Sequence, residues 1–272
     1  MVLESTLSDF QKTVRDYYLA HRREMPWRHI DDPYKILVSE IMLQQTQVER
    51  VIPKFLTFTE AFPTIFDLAR ATPTEVLGQW QGLGYNRRGL FLKRAAEELV
   101  EKYDGDLPRD VALVDALPGV GYATACAVVT YSYNMPTVFI ETNIRTVFIH
   151  HFFADREDVS DSEIEPLVAT TVDQEHPRDW YYALMDYSVM LKKEHGNASR
   201  KSKHYVKQST FQGSDRQLRG KVMRYLLKEP NSEMDGLALL DASREKVQRV
   251  IEGMVKDKLV VVSQDRYSIV EQ

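Results

Sequence analysis

Two features of the sequence are placed to do chemistry. The first is Glu40, set in the apolar run Ile36-Leu37-Val38-Ser39-Glu40-Ile41-Met42-Leu43. Apolar surroundings disfavour the charged form of a carboxyl and raise its pKa. Such a group can stay protonated near neutrality and serve as a general acid. The same stretch also fits an exposed Glu on an amphipathic helix. The second is Leu117-Pro118-Gly119-Val120-Gly121, between two apolar helical segments. Two glycines this close permit a tight turn with exposed backbone amides, and the helix from Tyr122 points its positive N-terminus outward. Together they make an anion-binding concavity that needs no basic side chain. An ordinary turn between helices is the other reading.

The elements that must position these groups are almost all helical. Apolar residues recur at helical spacing through most of the first 190 positions, with helices expected over 7–21, 33–51, 53–61, 65–69, 73–79, 87–102, 111–117, 122–132, 142–153, 162–171 and 179–193. Only 137–140 reads as extended. Residues 193–213 are polar and basic and read as a linker or surface arm. Beyond them, helices are expected over 215–228, 234–240 and 244–258, then a hairpin of 259–263 and 266–270 turning at Gln264–Asp265. Three helices followed by a hairpin is a winged-helix pattern, used for DNA contact and for protein docking alike.

The chain has 272 residues, 43% of them hydrophobic and 28% charged, which is ample for a globular core. No apolar run is long enough to span a membrane, and the stretch from Met1 to Phe10 lacks the core of a signal peptide. An intracellular location, cytoplasmic and associated with the nucleoid, is expected. The single cysteine, Cys126, excludes an internal disulfide and any multi-cysteine zinc or iron–sulfur site; within an apolar helix it reads as core. A net charge of −5 argues against nucleic acid by itself, but the distribution matters more. From Lys192 to Arg224, ten Lys and Arg face only Glu194 and Asp215. A solvated linker fits that run as well.

The longer string shifts the weight among these readings. Trp27-Arg28, Asp32-Pro33-Tyr34-Lys35 and Ser39-Glu40-Ile41-Met42-Leu43-Gln44-Gln45-Thr46-Gln47-Val48 resemble, almost position for position, the signature of the MutY-type adenine DNA glycosylases of the endonuclease III superfamily. Gly82-Leu83-Gly84-Tyr85 continues the match, and Leu117–Gly121 followed by Ala123-Thr124-Ala125 looks like the superfamily's hairpin. The resemblance extends from about 27 to 190. It implies a helix-hairpin-helix glycosylase that flips a base from duplex DNA and hydrolyses its bond to the sugar. Glu40 is then the acid that protonates the departing base. Arg28, Leu43 and Asp186 line the base pocket. Gln45 and Tyr85 wedge into the stack, beside Gln44 and Thr46. Leu117, Gly119, Val120 and Gly121 hold phosphate. Filling the vacated stack offsets the few kcal/mol of unstacking.

Expelling the base leaves a cationic sugar that wants a negative charge nearby. The family supplies an Asp followed by Gly-Asn at a helix N-terminus; here the string is Glu141-Thr142-Asn143. Asn143 matches and is expected at the DNA, and Glu141 keeps the charge with one extra methylene and weaker N-cap character. It is expected to work as the second catalytic carboxylate, facing Glu40 across a cleft. A structural charge at the helix dipole is its other reading. The lyase lysine of related enzymes is matched by Ala123, so a monofunctional hydrolase is expected. The cluster cysteines of most relatives have no counterpart in 191–207, so a clusterless branch without cofactor is expected. Lys192, Lys193, Arg200, Lys201 and Lys203 are then expected to supply phosphate contacts. In a chain of this length the usual C-terminal NUDIX-like domain is not expected.

The expected architecture is mainly α. A two-lobed glycosylase domain covers 1–212, with a hairpin lobe at about 22–134 and a second lobe of the N-terminal helix plus about 135–205. A winged-helix-like domain covers 213–272. The expected partner is double-stranded DNA with a mismatch or oxidised base, bound by a monomer, and the expected reaction excises adenine opposite 8-oxoguanine or guanine. Two rivals stand beside it: a thymine or uracil glycosylase acting opposite guanine, and a non-catalytic damage-binding protein in which Glu141 marks lost chemistry.

Overall fold

Helix starts in this chain are written in short side chains. Thr64 with Asp67, Thr72 with Glu75 and Ser160 with Glu163 each form a reciprocal capping box, satisfying amides that the first helical turn leaves unpaired. The structure is a computed structural model that describes residues 4–208, 210–238, 240 and 242–271. Its helices are α1 (Glu4–His21), α2 (Pro33–Leu43), α3 (Val48–Ala61), α4 (Ile65–Arg70), α5 (Pro73–Trp80), α6 (Arg87–Tyr103), α7 (Val111–Asp115), α8 (Tyr122–Tyr133), α9 (Thr142–Phe152), α10 (Asp161–Thr171), α11 (Pro177–Glu194), α12 (Asp215–Lys228), α13 (Met234–Leu237) and α14 (Arg244–Lys256). Strands β1 (Ser232–Glu233), β2 (Val260–Ser263) and β3 (Arg266–Ile269) form an antiparallel sheet in the order β1-β3-β2. Part of the N-terminal stretch read for a signal peptide, and Leu239 of the helix expected over 234–240, lie outside the described residues.

The chain divides into two compact units. One comprises Met1–Ile36, Pro108–Ala116 and Val120–Lys207. Its core joins Phe10 and Val14 of α1 to Phe148 and Ile149 of α9, Ile164 and Val168 of α10, and Trp180, Tyr181 and Leu184 of α11. Phe10 meets Phe148 edge-on at 5.2 Å and Trp180 at 6.0 Å, the geometry aromatic quadrupoles prefer. Each such buried side chain contributes about 1.5–3 kcal/mol.

The other unit comprises Leu37–Leu107, Leu117–Gly119 and Gln208–Gln272. Leu77 of α5 and Leu90 of α6 belong to the same apolar cluster as Leu218, Val222, Leu226, Val247, Ile251 and Met254. Ion pairs from Asp257 to Arg87 (3.2 Å) and Arg219 (2.5 Å) flank that cluster. The β2–β3 turn falls at Gln264 and Asp265, both with positive φ, which is the backbone a two-residue hairpin demands.

Two expectations are corrected. The helix expected over 33–51 is broken: α2 ends at Leu43, Gln45 takes φ 54°, and α3 begins at Val48. Apolar spacing runs on through the break, so it hides the turn. Nor is 193–213 a plain linker. A 3-10 turn, Ala198–Lys201, is capped by the Asn197 side chain, which accepts from Ser199 N at 3.1 Å. Ser202 bridges Val159 in parallel, and Ser199 and Ser202 are buried.

Candidate active site

Glu40 lies on α2, half-buried between Ser39 and Ile41, which are fully buried. Leu43 closes the helix, and the turn 44–47 carries Gln44, Gln45 and Thr46 away from it. A second turn, Gly82 to Tyr85, stands beside the first. Gly82, Gly84 and Tyr85 all have positive φ, at 96°, 74° and 46°. For tyrosine that backbone is costly and persists only where its surroundings enforce it.

Arg88 does the enforcing. Its Nη1 donates to the carbonyls of Ile41 (2.7 Å), Met42 (3.1 Å) and Gln44 (2.5 Å), and its Nη2 to Thr46 Oγ1 (2.9 Å) and Gly84 O (3.3 Å). One planar fork thus satisfies the frayed carbonyls of α2 and ties both turns together. Burial pulls its pKa down to about 10, against a small upward push from Tyr85, so it stays charged at neutral pH. The Tyr85 hydroxyl accepts from Gln208 Nε2 (2.5 Å) and Arg216 Nη1 (2.8 Å). The Tyr85 ring is 36% exposed and shared by two clefts of about 540 and 520 Å³, both of which also reach Gln45 and Arg216.

In the hairpin, Gly119 has φ 77°, and a Cβ there would stand 2.6 Å from the Phe91 Cβ. No other residue fits without movement. Gly121 has no such need: its φ is −112°, and no atom lies within 4 Å of an added Cβ. It begins α8 without a side-chain cap, which leaves the helix N-terminus suited to an anion. The Leu117 and Val120 side chains are core, so what they offer a ligand is backbone. Gln44 Nε2 reaches Gly119 O at 3.4 Å.

Glu141 is the N-cap of α9. Its Oε1 accepts from the amides of Asn143 (2.6 Å) and Ile144 (3.0 Å), and its Oε2 from Asn143 Nδ2 (3.2 Å). The extra methylene therefore does not cost it the cap. Burial raises its pKa above the usual glutamate value; the Ile144 amide, the Lys192 charge, the Asn143 amide and Arg145 oppose that rise. Asn143, expected at DNA, spends its side chain here: Oδ1 accepts from Ser188 Oγ (3.0 Å) and from the Lys192 ammonium.

Asp186 is 2% exposed and accepts from Arg28 Nη1 (2.7 Å) and Nη2 (2.8 Å) and from the backbone N (2.9 Å) and Nε (2.6 Å) of Arg23. Burial would lift its carboxyl, but the Arg28 fork and the Arg23 bonds outweigh it and hold the group below the ordinary range. Arg28 lies 4.5 Å above the Tyr182 ring, which stacks on Tyr131 at 4.6 Å. The structure thus brings Arg28 and Asp186 together as a saturated fork, with little of Asp186 left for a base.

Of the expected phosphate contacts, Lys192 turns inward, and Lys201 donates to Ala154 O at 2.6 Å with Glu157 at 3.7 Å. Lys203 and Lys193 are exposed. The residues missed by sequence reasoning are Arg88, Arg23 and Gln208; Lys192 and Arg216 belong to the basic run, but the structure turns them onto Asn143 and Tyr85. For Lys192 a signal existed: it follows Ser188 by four residues, on the inward face of α11.

Comparisons with known proteins bear on this geometry. The HhH-GPD superfamily of base excision DNA repair proteins matches residues 38–170. An adenine DNA glycosylase of Buchnera aphidicola is 32% identical over 191 residues, covering 69% of this chain and 54% of the relative. One from Mycolicibacterium smegmatis is 42% identical over 132 residues, 48% of this chain and 45% of that one. The Homo sapiens adenine DNA glycosylase is 33% identical over 194 residues, 67% of this chain and 36% of its own. The chain thus spans about half or less of the length of these relatives. Among solved structures, a thermostable thymine-DNA glycosylase superposes with TM-score 0.63 at 25% identity, covering 72% of this chain and 92% of that one. An endonuclease III–DNA complex does so with TM-score 0.59 at 19% identity, covering 72% and 88%; this likeness concerns the fold.

The expected absence of a cofactor is corrected by these comparisons, because MutY-like and endonuclease III proteins are typically iron–sulfur cluster enzymes. The residues present do not fit such a group. Four thiolates hold a cluster, and the chain has one cysteine, Cys126, buried in α8 with its thiol pushed up by burial. Among the described residues no group of three His, Cys, Asp or Glu could hold a metal ion, and no step below runs through one. Nor, among them, is any helix long and apolar enough to cross a membrane. The signature around Glu40, the glycine-dependent hairpin and the superposable fold agree with these matches: residues 38–170 fall in the HhH-GPD superfamily of base excision DNA repair proteins, and the chain is similar to its MutY-type adenine DNA glycosylases.

Proposed function

We propose that this chain is a monofunctional DNA glycosylase that hydrolyses the bond between adenine and deoxyribose, with adenine paired to 8-oxoguanine or guanine in duplex DNA. The observation that carries the reading is the clasp made by Arg88. It holds the Glu40 helix end and the two turns bearing Gln45 and Tyr85 in a single piece, so acid and wedge move as one. Relatives named adenine DNA glycosylases supply the base.

In this reading Gln45 and Tyr85 fill the space left by the flipped adenine, with Gln44 and Thr46 behind them. Backbone amides of Gly119, Val120 and Gly121 and the N-terminus of α8 hold a phosphate, with Leu117 anchoring the turn. Lys203 adds positive charge for the duplex backbone, and Lys201 orders its own loop. Arg28 and Asp186 shape the pocket wall, with Leu43 on the base. Glu40 gives its proton to the purine as the C1′–N9 bond breaks. The ionised Glu141 stabilises the cationic sugar and receives a proton from the water that adds to C1′. Products are adenine and an abasic site. Ala123 offers no amine, so the strand stays intact. The protein acts as a monomer, with a glycosylase domain over 1–212 and a winged-helix-like element over 213–272.

Single-turnover assays on duplexes holding adenine opposite 8-oxoguanine or guanine, and thymine or uracil opposite guanine, test this. Adenine is released and no nick appears without alkali. Glu40→Gln slows release about 100-fold or more, the usual worth of a general acid. Release of thymine or uracil with adenine untouched points instead to the chemistry named for the thymine-DNA glycosylase neighbour. Tight lesion binding without an abasic product overturns the enzymatic reading altogether.

A further inference from the structure

Lys192 stands where a solvent-facing lysine is not needed. It sits in the last turn of α11 and its ammonium is turned inward onto Asn143 Oδ1, which also accepts from Ser188 Oγ at 3.0 Å. Two donors on Oδ1 fix the amide's orientation, since a flipped amide would set NH₂ against them. The Asn143 Nδ2 is thereby aimed at Glu141 Oε2, at 3.2 Å, while its backbone amide holds Oε1. The chain of contacts runs from α11 through one side chain to the carboxylate at the head of α9.

We propose that Lys192 is a positioning residue that, through Asn143, holds the Glu141 carboxylate in place and favours its ionised form. The inference rests on Glu141 being a working carboxylate, and the test below separates the two. The need for such a residue is physical. A carboxylate removed from water drifts toward its neutral form unless charge and donors oppose the drift. The charged groups around the pair are few. Arg145 of α9 is held by Asp161 at 2.6 and 2.7 Å, and Arg23 is held by Asp186 at 2.6 Å. Arg145 therefore acts on Glu141 partly neutralised, and Arg23, which acts on Lys192, is likewise compensated. Lys192 meets the carboxylate through an uncharged amide, so its positive charge is spent on Glu141. Burial pulls the Lys192 pKa down, and Glu141 works against that fall.

The test uses the full-length protein with Lys192→Met, Lys192→Gln and Lys192→Arg, followed by single-turnover release of adenine opposite 8-oxoguanine between pH 5 and 9. Loss of a nearby opposite charge moves a carboxyl by about one unit or more. The acid limb should therefore shift upward by about one unit in Lys192→Met and in Lys192→Gln, which keeps a donor without the charge. At high pH both should return to within about threefold of wild type. Lys192→Arg keeps the limb where it was. A rate lowered by one factor at every pH with the limb unmoved overturns the proposal, since a merely structural role does that. Carbon-13 NMR titration of the Glu141 carboxyl, assigned with Glu141→Gln, reads the same shift without turnover. If wild type releases no adenine, the glycosylase reading fails while this titration still decides the role of Lys192: an unchanged carboxyl titration in Lys192→Gln overturns it.

Discussion

Arg88→Ala is the perturbation that most directly tests how this site is held. The guanidinium serves five acceptors through two nitrogens: four main-chain carbonyls at Ile41, Met42, Gln44 and Gly84, and the Thr46 hydroxyl. Hydrogen bonds to a charged group contribute about 1.5–3 kcal/mol each, but five contacts through two nitrogens are not five independent bonds. Counting one strong bond per nitrogen gives a gross loss of about 3–5 kcal/mol. Releasing a dehydrated cation, whose pKa burial has already pulled to about 10, returns part of it, leaving about 3 kcal/mol. For domains of this size that lowers Tm by about 6–12 °C. Arg88→Lys keeps the charge but replaces the fork with a point donor that cannot reach both turns, so it recovers at most about half of the loss. Urea or thermal unfolding measures the stability, and titration of a labelled duplex measures the consequence for the Gln45 and Tyr85 turns, where affinity falls with the clasp. An Arg88→Ala protein within about 1 kcal/mol of wild type, with duplex affinity unchanged, would refute the reasoning that one fork holds both turns.

Gly119→Ala brings a Cβ to within 2.6 Å of Phe91 in a backbone of φ 77°, so it should cost about 2–3 kcal/mol and weaken duplex binding, while Gly121→Ala, with open space around it, leaves unfolding nearly unchanged; equal losses at both would be the wrong outcome. Arg28→Ala leaves the Asp186 carboxylate buried with half its partners gone, and breaking a buried pair in this way costs about 3–5 kcal/mol, read from the urea midpoint at pH 7. Glu141 carries a sign of its own: its folded pKa is raised, so its contribution to stability is fully present below the unfolded value, near 4.3, and is lost as pH rises through the folded value. Glu141→Gln should therefore be as stable as wild type or more so at pH 8 and gain nothing at pH 4, while abolishing the acid limb of adenine release; a variant less stable at pH 8 than at pH 4, relative to wild type, contradicts the assignment.

Helical spacing made nearly all of the first 190 residues legible, because an apolar face has to recur every three or four positions wherever a helix is half-buried. The hairpin at Gln264–Asp265 was legible for a similar reason, since turn chemistry and strand alternation agree there. The break after Leu43 was not, because Val48 and Val51 continue the apolar rhythm of α2 across a turn whose only mark is the positive φ of Gln45. The sharper lesson concerns residues of one type standing side by side. Arg87 and Arg88 are indistinguishable as letters, yet Arg87 reaches out to Asp257 and Phe91 while Arg88 turns in to five acceptors. Lys192 and Lys193 divide in the same way, one onto Asn143 and one into solvent. A run of cations therefore says how much charge a segment holds, while the 100° between neighbours on a helix decides which cation meets DNA and which holds the fold. The same rotation bears on the basic run from Lys192 to Arg224. The cations that Asn143, Ala154 O, Tyr85 and Asp257 already engage are Lys192, Lys201, Arg216 and Arg219, so the phosphate contacts must be sought first among its exposed members, Lys193, Arg200, Lys203, Lys207 and Arg224. Salt dependence of duplex binding should respond to charge removal at those five and not at Lys192.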